Sequence, residues 1–195
     1  MGERYFRFTP ARMTMQAYNV LLHGGQGVQY YCTVDGPIYR DGRKGPLFFQ
    51  MQEMNHRITQ WGKTLMALTS EHVFHSPELL AGNESYNQFR DPLINSQILA
   101  DDELPFRCSA GEFVDSEGNR YLMILNRDYM DKRTFKLNLK KPFRVYEISE
   151  EDGLQSVRNR STKCLNVELA AGDAIFLRMQ DANEEPYLID YVLKK

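Results

Sequence analysis

A single short β-type segment between two amphipathic helices constrains this chain more than any other feature. Residues 27–34, Gly-Val-Gln-Tyr-Tyr-Cys-Thr-Val, are rich in β-branched and aromatic residues and run into the turn Asp35-Gly36-Pro37. Upstream, Thr9 can cap a helix, Pro10 suits its first position, and Met13, Ala17, Val20 and Leu21 form one apolar face before Gly24 and Gly25 stop it. Downstream, Pro46 opens a second helix in which Leu47, Met51, Met54, Ile58, Trp61, Leu65 and Leu68 recur in steps of four and three. With Gly62 inside it and few complementary charges beside it, this stripe fits packing on a sheet better than a coiled-coil seam. Helix, strand and helix in that order are a slice of an α/β protein, and a lone strand leaves its backbone N–H and C=O groups unpaired. The order therefore predicts strand neighbours from an upstream part of a longer domain or from a partner, with wide apolar faces on both helices awaiting them. Pairing at the edge of a downstream sheet is the alternative.

The period changes after Ser70. Residues 76–105 are rich in Pro, Asn, Ser and acidic groups, which fits a linker or a long ordered loop. From Phe106 onward, short strands are expected at residues 108–114, 120–126, 134–139, 143–148, 163–169, 174–179 and 187–193, separated by turn residues such as Asp115-Ser-Glu-Gly-Asn119 and Ala171-Gly-Asp173. Alternation in Lys136-Leu-Asn-Leu139 and Leu165-Asn-Val-Glu-Leu169 argues for an antiparallel β-sandwich. The expected fold class is thus an α/β fragment plus an all-β unit. The organisation is residues 1–75 as the α/β segment, 76–105 as the connection and 106–195 as the sandwich.

Composition narrows the function classes. With 24 Lys+Arg against 26 Asp+Glu the chain has no basic field of the kind that binds phosphate backbones, so nucleic acid is not an expected partner. No stretch approaches the roughly 18 uninterrupted apolar residues of a spanning helix, and no membrane is expected. The start, MGERYFRFTP, lacks an apolar region followed by a small-residue cleavage site, and Phe6 occupies the position that a myristoylation motif needs as Ser or Thr. Localisation stays open. Cys32, Cys108 and Cys164 are far apart and fit buried free thiols. His72 and His75, three apart in an extended segment, point to opposite faces, and Glu112 and Asp115 flank a hairpin turn in the same way. No nucleophile elbow, phosphate loop or dinucleotide fingerprint is present, and neither cofactor nor metal is expected.

Several runs resemble one family. Tyr5-Phe-Arg-Phe-Thr-Pro10, the stretch from Gln16 to Tyr31, Asp41-Gly-Arg-Lys-Gly-Pro-Leu-Phe-Phe49 and Met54-Asn-His-Arg-Ile-Thr-Gln-Trp-Gly62 resemble the end of a (β/α)8-barrel glycoside hydrolase of the β-galactosidase-like kind. The stretch from Gly111 to Asn126 and the run Leu169-Ala-Ala-Gly-Asp-Ala-Ile-Phe176 resemble the β-sandwich that commonly follows such barrels. The resemblance implies that residues 1–75 are the terminal barrel segment, with Val28 to Val34 as the eighth strand. It implies a parent protein, often exported or periplasmic, that cleaves glycosidic bonds with paired carboxylates. Both carboxylates would precede Met1, and this chain alone would lack retaining chemistry, which needs two carboxyl groups about 5 Å apart.

The C-terminal end of an eighth strand faces the mouth where barrel enzymes collect functional groups. Tyr31, Thr33 and Asp35, with Tyr39 on the following loop, are then the expected substrate-binding residues. Aromatic rings stack on sugar faces and carboxylates accept hydroxyl hydrogen bonds. The expected partners are a carbohydrate and the missing barrel portion or a protein that replaces it. The alternatives are a carbohydrate-binding sandwich module, which predicts coplanar exposed aromatics on the sandwich, and an interaction protein that recruits a partner by sheet completion.

Overall fold

Turn chemistry and alternation place the β elements. Asp115 Oδ1 accepts from the backbone N–H groups of Glu117 and Asn119, both at 2.9 Å, and Gly118 takes φ +84°, so the chain reverses between two strands of equal length. These strands are β2 (Cys108–Val114) and β3 (Arg120–Asn126), with the bounds expected from sequence. They belong to a computed structural model that describes residues 9–30, 37–79 and 93–184. The remaining elements are α1 (Pro10–Leu22), α2 (Leu47–Leu65), β1 (Thr69–His75), β4 (Arg133–Ile148), β5 (Gln155–Leu169) and β6 (Ala174–Asp181). All six strands form one antiparallel sheet in the order β1-β2-β3-β6-β4-β5. The expected strand at 187–193 lies outside the described residues.

Antiparallel, sandwich-type packing is present, but within a single continuous sheet. Residues 134–139 and 143–148, expected as two strands, are one, because the pairing of β4 with β5 runs on through register shifts between Asn138 and Tyr146. This irregular stretch lies between the half of β4 that pairs with β5 alone and the half that also pairs with β6. Phe135, Leu137, Leu165 and Val167 then meet Ala110, Leu122, Ile124 and Leu177 in the main core. Leu93, Ile98, Leu99 and Leu104 join that core, so the described part of the 76–105 connection is an ordered loop. β1, which the sequence reading missed, pairs with β2 at the sheet's edge, with a register shift between Ser70 and His72.

The helices account for the other face of β2, β3 and β6, and here an expectation is corrected. Phe113, Tyr121, Met123, Leu125 and Phe176 turn away from the main core and pack against Tyr18, Leu21 and Leu22 of α1 and Trp61 of α2. The apolar faces expected to be bare therefore cover this protein's own sheet. Close approach explains why the helix fits: a Cβ on Gly111 of β2 would lie 2.6 Å from the Leu22 carbonyl oxygen. Within the expected strand at 27–34, residues 27–30 are irregular, with Val28 and Tyr30 packed on Met13, Ala17 and Met54. Residues 31–36 lie outside the described residues. Among the described residues no helix is long and apolar enough to cross a membrane.

Candidate functional site

A polar constellation lies where α2 meets two turns of the sheet. Helical spacing puts Glu53 and Arg57 on one face, and Arg57 Nη2 donates to Glu53 at 2.8 Å. The same guanidinium reaches Glu150, in the turn after β4, at 3.1 Å and Asp173, in the turn before β6, at 3.9 Å. Fully buried Tyr18 of α1 neighbours it. Around this hub α2 follows the 149–153 turn: Trp61 Nε1 donates to the Ile148 carbonyl at 3.0 Å, His56 Nε2 meets the Glu151 carbonyl at 3.0 Å, and Lys63 Nζ donates to the Asp152 carbonyl at 3.1 Å. α1 has its own fastenings. Arg12 donates to the Tyr129 hydroxyl at 2.9 Å, and Arg127 donates to Asn19 Oδ1 at 2.6 Å.

The electrostatics of the hub follow from its partial burial. Burial raises the Asp173 pKa above the usual carboxylate value, while the Ala174 N–H and Arg57 pull it back. Burial also raises Glu150, with Arg57 opposing and the Asp173 charge adding. Burial, helped by Asp173, pushes the Tyr18 hydroxyl well up. One guanidinium serving three carboxylates makes a structural clamp in which both raised carboxyls favour the proton.

A raised folded-state pKa means that the folded chain holds more protons than the unfolded chain between the ordinary and the raised values. In that window, just above the usual carboxylate range, stability from this pair rises as pH falls. Asp173→Asn is expected to reduce the gain in urea midpoint between pH 7.5 and pH 5 relative to the parent chain. An unchanged gain would show that Asp173 does not titrate in this window. Asp128 has the opposite sign: burial raises its pKa, but hydrogen bonds from Arg133 and from the Met130 and Asp131 N–H groups outweigh this and hold it low.

Of the expected substrate-binding residues, Tyr31, Thr33 and Asp35 lie outside the described residues. Tyr39 is exposed on a small loop closed by an Ile38–Lys44 bridge, and the Arg43 guanidinium lies 5.6 Å from its ring centroid. It is not brought to the Arg57 hub. An apolar groove of about 330 Å³ lies between the ends of α1 and α2, with Leu21 and Gly25 on one wall, Ile58, Gly62 and Leu65 on the other, and Phe113 also lining it.

The remaining sequence candidates have structural roles. His75 Nδ1 lies 2.7 Å from Ser109 Oγ, and His72 stacks on Phe74 at 5.9 Å between centroids. Among the described residues no three His, Cys, Asp or Glu side chains gather as metal ligands. Cys108 is a buried free thiol whose pKa burial raises, and Cys164 is half-buried. Fully buried Glu112 accepts from Ser96 Oγ, from the Gln97 N–H at 2.9 Å and from the Ile98 N–H at 3.3 Å, so it orders a loop. Sequence reasoning missed the Arg57 hub, because its members are separated by about a hundred residues and no local spacing announces them.

Fold and site together define a mostly-β domain, one antiparallel sheet with a helix pair fastened to its face. No family model and no curated protein matches the chain. Among solved structures it is similar to a GH27 β-L-arabinopyranosidase from Geobacillus stearothermophilus at 12% identity and TM-score 0.43, covering 94% of this chain and 33% of that one. A form of that enzyme in complex with arabinose matches over 40% of this chain and 18% of its own, at 14% identity and TM-score 0.31. A putative α-N-acetylgalactosaminidase from Bacillus halodurans is similar at 12% identity and TM-score 0.42, over 92% of this chain and 34% of its own. The chain thus spans about a third or less of the length of these structures.

Proposed function

We propose that this chain is the C-terminal portion of a glycoside hydrolase-like protein, in which the antiparallel β domain buttresses the helix pair of a barrel end and takes no catalytic role itself. The observation that carries this reading is the seat of α2 on the sheet. Trp61 is buried between Tyr18 and Phe176 and donates to the Ile148 carbonyl, while Arg57 bridges to two sheet turns. The barrel-end motifs of the sequence fall on these same helices, which supports assigning the sheet to hold them in place. In this reading Tyr31, Thr33, Asp35 and Tyr39 contact carbohydrate, and an upstream barrel portion or a partner protein supplies the acid/base and nucleophile. The carbohydrate-binding module finds less support. Phe106 is the exposed aromatic of the β domain among the described residues, and its ring faces the guanidiniums of Arg107 and Arg133 instead of sharing a plane with a second exposed ring.

The test is a panel of aryl glycosides incubated with the purified chain. Turnover is expected to stay at the uncatalysed rate. Hydrolysis that survives repurification and scales with protein concentration would contradict the reading.

A further inference from the structure

We draw no further inference here: the strongest candidate, the apolar groove of about 330 Å³ between the ends of α1 and α2 lined by Leu21, Ile58, Gly62, Leu65 and Phe113, carries nothing because nothing in the structure shows what covers it.

Discussion

Trp61→Ala is expected to lower the unfolding free energy by about 3–5 kcal/mol, the range for removing a buried tryptophan. Trp61 is 2% exposed, and its ring lies 5.0 Å from Tyr18 and 6.0 Å from Phe176 between centroids. Truncation therefore leaves a cavity where α1, α2 and the sheet meet. It also leaves the Ile148 carbonyl without its indole donor. Trp61→Phe separates the two effects: it refills most of the space but cannot donate, and is expected to cost about 1–2 kcal/mol. Urea unfolding followed by far-ultraviolet dichroism checks both. A loss below about 1 kcal/mol for the alanine variant would mean that the helix pair contributes little to the stability of the sheet.

Glu112→Ala is expected to cost at least about 3 kcal/mol, because it strands three donors inside the protein. The Glu112 carboxylate is wholly buried on β2 and accepts from Ser96 Oγ and from the N–H groups of Gln97 and Ile98. Those bonds seat Ile98 and Leu99 in the main core. Glu112→Gln keeps one acceptor and turns an amide N–H₂ toward donors, so a smaller loss of about 1–2 kcal/mol is expected. Limited proteolysis supplies a local readout, since cleavage near residues 96–98 should accelerate more than cleavage in the β2–β3 turn. Equal acceleration at both places would assign Glu112 a global role and not a loop-ordering one.

The elements legible in the sequence are those whose signal is local. β2 and β3 were placed to the residue because a turn of Asp, Gly and Asn joins two short apolar runs. The stripe of α2 correctly implied packing on a sheet. β1 escaped notice because Val73 and Phe74 are both buried, which breaks the alternation that would mark an edge strand. The first half of β5, including Ser156, Arg158 and Arg160, is polar and exposed, so only its alternating second half announced itself. Lys140-Lys141-Pro142 reads as a break, yet β4 passes through it as an irregular stretch. The cover for the helices was misjudged for a different reason. Periodicity tells that a face is apolar but not which surface meets it, and the partner of both helices lies about a hundred residues downstream in this same chain. The Arg57 hub is illegible on the same grounds: a carboxylate in each of two distant turns becomes its neighbour only once the sheet has formed.

Native-state hydrogen exchange addresses the account most directly, because a buttress must hold its helices as firmly as it holds its own strands. Amides in the second half of α2, around Ile58 to Trp61, are expected to exchange only through the same global opening as Leu122 and Ile124 of β3, with equal denaturant dependence. Exchange of those helical amides through a separate, low-energy opening that leaves β3 protected would contradict it.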